Sequence, residues 1–140
     1  MRGRWLARAA LGVALLAVCG RASQPAPIAY DREPCAHCRM LISDPAHAAQ
    51  LESADGEVAS FDDPGCLLAA LDAHPNPRAL WFHHLREERW LAGDEVGFVR
   101  VPHTPMGYGL GAVGADETGA LSLEEARALV AADGARRGTP

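Results

Sequence analysis

Prolines and capping residues divide this chain into short elements. The Asp-Asp-Pro run at residues 62–64 starts a helix, because an Asp at the N-cap accepts hydrogen bonds from free backbone N–H groups and Pro suits the first helical position. The His-Pro-Asn-Pro run at residues 74–77 ends it, which predicts a helix over residues 64–73. Pro45 and its polar neighbours argue against a long helix upstream. The chain is therefore predicted to fold from short helices and short strands.

The same order of elements occurs twice. In the first half, two strand-like stretches flank the hairpin dipeptide Asp55-Gly56, and the helix and a further strand follow. In the second half, two strands and a turn precede a helix that begins with the capping box Ser122-Leu-Glu-Glu125. The predicted strands cover residues 46–53, 57–61, 79–85, 97–101 and 109–115, the second helix ends near residue 134, and residues 28–30 start a further strand. We predict an α+β fold of two small units in tandem, residues 28–86 and 87–136, which share or stack their cores because neither is large enough to be stable alone.

Residues 1–18 have the pattern of an export signal. Three arginines precede an uncharged apolar run over residues 9–18, which is too short to span a bilayer, since a span needs about 20 residues. The run ends in Leu16-Ala17-Val18-Cys19, which resembles the lipobox of bacterial lipoproteins, although Val18 departs from the pattern. The alternative is a secreted protein cleaved near Ala22. We predict export to the periplasm, a lipid anchor on Cys19, a tether over residues 19–27, and sorting to the outer membrane because Gly20 follows the Cys.

Charge and cysteine count narrow the function. The formal net charge is −5, with no basic patch, which argues against nucleic acid as a partner. The sequence lacks a Ser–His–Asp order, a phosphate loop and a zinc-protease helix, so we predict that the chain is not an enzyme. Once Cys19 carries lipid, Cys35, Cys38 and Cys66 remain. An odd number of cysteines in an oxidising compartment leaves either a free thiol or a metal site.

The run Cys35-Ala-His-Cys38-Arg-Met40 places two thiols and a thioether on one loop. Thiolate and thioether are soft ligands that select Cu(I) over hard ions, so we expect these three residues to bind Cu(I). Haem of the c type is excluded, because its site needs His rather than Arg39 after the second Cys. The two remaining alternatives are a structural zinc site completed by His37 and Cys66, and a thiol–disulfide oxidoreductase that uses the Cys pair. A simple disulfide between Cys35 and Cys38 describes an oxidised apo state.

A second loop adds candidate ligands. Met106 lies in the Pro- and Gly-rich run Thr104-Pro-Met106-Gly-Tyr-Gly109, where glycines let the backbone approach a ligand closely. His103, three residues earlier, is an auxiliary candidate. Cys66 falls in the first turn of the first helix, which favours its thiolate, and the alternative is that it is a small buried hydrophobic residue. Each half has one Met in the loop before its hairpin, so we predict one copper ion bridging the two loops.

Three motifs in order resemble the NosL family of copper-binding lipoproteins, which assist the maturation of nitrous-oxide reductase. They are Cys35-x-x-Cys38-x-Met40, Phe61-Asp-Asp-Pro-Gly-Cys66 and Thr104-Pro-Met106-Gly, and the resemblance covers residues 34–130. It implies two ββαβ-type units and a Cu(I) chaperone whose partners are apo nitrous-oxide reductase and its assembly factors. Arg39 stands where the family often has Gly, and that departure affects the geometry of the first loop.

Overall fold

The computed structural model describes residues 24–137. The predicted signal peptide over residues 1–18, the predicted lipidation site Cys19 and the first part of the predicted tether lie outside the described residues. In chain order the elements are a 3-10 turn at Pro45–His47, β1 (Ala49–Glu52), β2 (Val58–Phe61), α1 (Pro64–Ala70) with a 3-10 turn at Leu71–Ala73, β3 (Ala79–His83), β4 (Trp90–Ala92), β5 (Val96–Arg100), β6 (Leu110–Gly114) and α2 (Leu123–Arg137). Across residues 24–137, no helix is long and apolar enough to cross a membrane.

Two antiparallel sheets and two helices make up the fold, and the predicted α+β class is confirmed. One sheet has the order β2-β1-β3-β4, and the other is the hairpin β5-β6. Strand β1 pairs with both β2 and β3, so that Leu51 lies opposite Ala59 on one side and Leu80 on the other. Chain order in the first half is therefore β1-β2-α1-β3. Strand β4, which follows residue 86, continues the same sheet.

The two sheets share one core. The rings of Phe82 on β3 and Phe98 on β5 meet edge to face, with centroids 5.1 Å apart, and both residues are fully buried. Their neighbours are apolar side chains of α1, together with Ala126 and Val130 of α2. Burying apolar area from both halves against each other supplies the hydrophobic stabilisation that either half alone lacks.

Local capping explains where both helices begin. Asp63 is the N-cap of α1, and its side chain accepts a hydrogen bond of 2.8 Å from the Gly65 N–H. At the start of α2, the Ser122 hydroxyl accepts from the Glu125 N–H at 3.2 Å, and the Glu125 carboxylate accepts from the Ser122 N–H at 2.8 Å. This reciprocal pair is the predicted capping box. Both predicted helix starts are therefore confirmed.

Two predictions of secondary structure are wrong, namely the strand at residues 28–30 and the end of α2. Residues 28–30 form no strand, because the chain turns there: the Ala29 carbonyl accepts from the Arg32 and Glu33 N–H groups, and Asp31 has a φ of 61°. Helix α2 continues past Gly134 to Arg137. A glycine within a helix weakens it by only about 1 kcal/mol relative to alanine, which is too little to end a helix that packs against a core.

Gly65 is packed against the second half of the chain, and it yields a stability prediction. A Cβ built on Gly65 would stand 2.1 Å from Cγ of Tyr108. Gly65→Ala should therefore lower the free energy of unfolding by about 1–3 kcal/mol, as overpacked cores do. The matched control is Gly134→Ala in α2, where an added Cβ meets nothing within 4 Å, and which should gain about 0.5–1 kcal/mol. Urea denaturation measures both, and equal stability of Gly65→Ala and wild type would contradict the packing.

Candidate metal centre

Three thiols from two elements meet at one point. The sulfur atoms of Cys35, Cys38 and Cys66 all lie within 4.8 Å of one another. Cys35 and Cys66 are fully buried, and Cys38 is partly exposed. Three thiolates bound to one ion at about 2.3 Å stand about 4 Å apart in a trigonal arrangement. The spacing is close to that geometry, so the cluster can hold a metal ion after small side-chain movements.

The loop carrying the Cys pair is closed by its own backbone. The Cys35 N–H donates to the Met40 carbonyl at 2.8 Å, and the Arg39 N–H donates to the Cys35 carbonyl at 3.1 Å. Arg39 has a φ of 68°, in the left-handed region that favours glycine. A further bond from the Ala36 N–H to the Ser60 carbonyl fastens the loop to β2. The loop therefore tolerates Arg39 with some backbone strain, and it presents both thiols towards α1.

Among the three cysteines, only Cys35 has a lowered pKa and so favours the thiolate form. The pKa of Cys35 is lowered to about 4, first because the Cys66 thiol donates a hydrogen bond to its sulfur, and then because the N–H groups of Asp62, Cys38 and His37 do the same against the effect of burial. Burial is the main reason why the pKa of Cys38 is raised. The cluster thus holds one negative charge that is stabilised by hydrogen bonds.

Of the two interpretations of Cys66, the structure favours the buried, protonated thiol over the thiolate. Its pKa is raised, first because it gives its proton to the hydrogen bond with Cys35, and then because it is buried. Helix α1 has seven residues, so the field at its N-terminus is weak compared with these two effects. Cys66 is the donor in the cluster, and Cys35 is the acceptor.

The loop containing Met106 lies against the start of α1. The Met106 N–H donates to Oδ2 of Asp63 at 2.9 Å. The turn around it depends on Gly107 and Gly109, whose φ angles are 73° and 68°. Met106 is half-buried and packs against the core. The structure therefore brings the second loop to the same helix turn that carries Cys66.

Two other predicted ligands lie at the surface. Met40 follows the Cys pair, but 59% of its surface is exposed. His103 is also exposed, ahead of the Met106 turn. His103 does not belong to the group formed by the three thiols.

The two aspartates ahead of α1 have roles that sequence patterns reveal only in part. The sequence predicts that this pair caps the helix, and Asp63 does cap α1. Asp62 instead accepts from the Ser43 N–H at 3.4 Å, and burial raises its carboxyl pKa. The bond from Asp63 to Met106 spans 43 residues and leaves no local pattern. One Asp is enough to cap a helix, so the presence of two is the one hint in the sequence that this pair has a further role.

No family model, curated protein or solved structure matches this chain. The candidate metal centre is therefore interpreted from its own residues.

The ionisation of Cys35 is directly measurable. In the reduced, metal-free protein we expect one thiolate per chain at neutral pH, because its pKa of about 4 lies well below the ordinary value. Ultraviolet thiolate absorbance should disappear on acidification through about pH 4, and Cys35→Ser should abolish it at neutral pH. Cys66→Ala removes the hydrogen-bond donor, so the titration should move to higher pH. A wild type with no thiolate at neutral pH would contradict this assignment.

Proposed function

We propose that this chain is a periplasmic Cu(I)-binding metallochaperone and not an enzyme. The observation that carries the proposal is the cluster of three thiols, whose sulfurs lie within 4.8 Å of one another beside the loop of Met106. Sulfur donors are soft and favour Cu(I) over hard ions. Cys35 offers a thiolate without further deprotonation, so binding begins from a site that is already partly charged.

The donor set favours copper over zinc. Structural zinc sites almost always have four protein ligands, whereas Cu(I) is also stable with two or three. Three thiols are grouped here, and a thioether on the neighbouring loop would supply a further soft ligand. The zinc alternative needs His37 or another residue as fourth ligand, and His37 is exposed.

Delivery of copper is the second part of the proposal. Cu(I) with few ligands exchanges them readily, which suits a carrier that passes its ion to an apoenzyme. The resemblance of three motifs to the NosL family suggests nitrous-oxide reductase as the client. A lipid on Cys19 would hold the chaperone at the membrane, on the periplasmic side.

A thiol–disulfide oxidoreductase is the alternative that one observation favours. A Cys with a lowered pKa beside two other thiols is typical of redox-active pairs. The Cys35 sulfur is fully buried, however, so a protein disulfide cannot reach the thiolate without opening the loop. Catalytic turnover of a disulfide substrate by the metal-free protein would favour this alternative over the chaperone.

Metal preference tests the proposed function. Under reducing conditions the protein should take one Cu(I) from a competing chelator and should release Zn(II) in exchange, because its donors are soft. Copper should also raise the melting temperature, since it binds only the folded state. Cys66→Ser should lower Cu(I) affinity at least about tenfold, or about 1.4 kcal/mol. Zn(II) affinity equal to or above that for Cu(I) would contradict the proposal.

The two methionines separate a bridging site from a one-loop site. Met106→Leu keeps size and apolar character, so the fold should change little. Its Cu(I) affinity should fall at least about tenfold if the ion bridges the loops, which corresponds to about 1.4 kcal/mol. Met40→Leu, tested by the same chelator competition, reports the contribution of the exposed thioether. If Met106→Leu binds as wild type does while Cys35→Ser fails, the bridging site is wrong.

A further inference from the structure

Asp63 uses both oxygens of its carboxylate, and they bind different halves of the chain. Oδ1 accepts from the Gly65 N–H at 2.8 Å and caps α1. Oδ2 accepts from the Met106 N–H at 2.9 Å, across 43 residues of sequence. One oxygen is enough for an N-cap, as Ser and Thr show in the same position. The second oxygen therefore has a separate purpose.

We propose that Asp63 is a positioning residue of the metal centre, which holds the Met106 loop against the helix turn of Cys66 so that thioether and thiols reach the same ion. This inference rests on the proposed function. The bond is made to the backbone of Met106, so it fixes where the residue stands and leaves its sulfur available. Asp63 itself is not a ligand in this scheme, because carboxylate oxygens are hard donors, whereas Cu(I) prefers soft ones.

Burial strengthens the hydrogen bonds by which Asp63 binds the Met106 loop. Its side chain is completely buried, so water does not compete for the two hydrogen bonds. A buried carboxylate needs such partners, since an uncompensated charge there would be strongly unfavourable. The Met106 N–H is thus part of what makes the charge of Asp63 tolerable, and loop and helix stabilise each other.

A second contact acts at the same place. The ring of Tyr108 lies directly on Gly65, where an added Cβ would come within 2.1 Å of the ring. Within the loop, the Gly109 N–H donates to the Thr104 hydroxyl at 3.2 Å. The loop is therefore a shaped turn that is attached to α1 at two points, through Asp63 at Met106 and through Gly65 at Tyr108.

Asp63→Asn tests the proposal. The amide keeps one oxygen for the Gly65 N–H, and its NH₂ then faces the Met106 N–H, so two donors oppose each other. We expect Cu(I) affinity to fall at least about tenfold, and we expect no further fall when Asp63→Asn is added to Met106→Leu. Equal losses in the two backgrounds would mean that Asp63 acts independently of Met106, and would overturn the proposal.

The effect of removing the Asp63 charge must be separated from the effect of displacing the Met106 loop. The pKa of Cys66 is raised mainly by its bond to Cys35 and by burial, and the charge of Asp63 adds to these. An effect of the removed charge alone would appear equally in the Met106→Leu background, so a loss found only when Met106 is present reports the displaced loop. Asp44 is the matched control, because it also caps a turn that begins with Pro, at Pro45–His47. Asp44→Asn should bind Cu(I) as wild type does.

A readout without copper completes the test. In the apo protein, amide hydrogen exchange at Met106 should become faster in Asp63→Asn, while the amides of α1 stay protected. If Asp63→Asn does not fold, Asp63→Ser replaces it, since Ser keeps the cap and lacks the second oxygen. A wild type that binds no Cu(I) overturns the proposed function and this role with it. Wild-type binding with unchanged affinity and unchanged Met106 exchange in the variant overturns the role of Asp63 alone.

Discussion

The first turn of α1 is buried, and that constraint determines much of the structure around it. Every residue from 61 to 68 is buried, so the free N–H groups of this helix end cannot bond to water. Pro64 has no N–H, Gly65 donates to the Asp63 side chain, and Cys66 and Leu67 donate to the Asp63 carbonyl. The Asp-Pro-Gly sequence thus satisfies the backbone N–H groups at a helix end that water cannot reach. It also places the Cys66 sulfur in a dry environment.

The same dryness controls the protonation of the thiols. Three thiolates this close together, two of them fully buried, would repel one another strongly, and Cys35 is the one whose hydrogen-bond donors lower its pKa. A cation would provide the missing counter-charge, so metal binding and loss of the remaining thiol protons are coupled. In the metal-free protein, the hydrogen bond from Cys66 therefore stabilises the Cys35 thiolate, as a bound ion would in the loaded protein.

Short-range signals predicted the fold better than the site. The start of α1, the hairpin around Asp55-Gly56 and the capping box at Ser122 depend on neighbouring residues, and all are as predicted. Two other local predictions were wrong. A turn replaces the strand expected at residues 28–30, and tertiary packing extends α2 beyond its predicted end. The sequence also left the protonation of Cys66 open. It depends on Cys35, which is distant in sequence, and no spacing rule contains that contact.

The unequal exposure of the three sulfurs has a kinetic consequence. Cys35 and Cys66 have no accessible surface, whereas Cys38 has some. Among the three cysteines, Cys38 is therefore the one beside which an incoming ligand can approach an ion, and the bonds to the two buried cysteines would break last. Release into bulk water is then slow, while a partner that supplies its own thiolate at Cys38 opens a faster associative route. Burial of the two inner cysteines therefore favours transfer of the ion by direct contact with a partner over its loss to water.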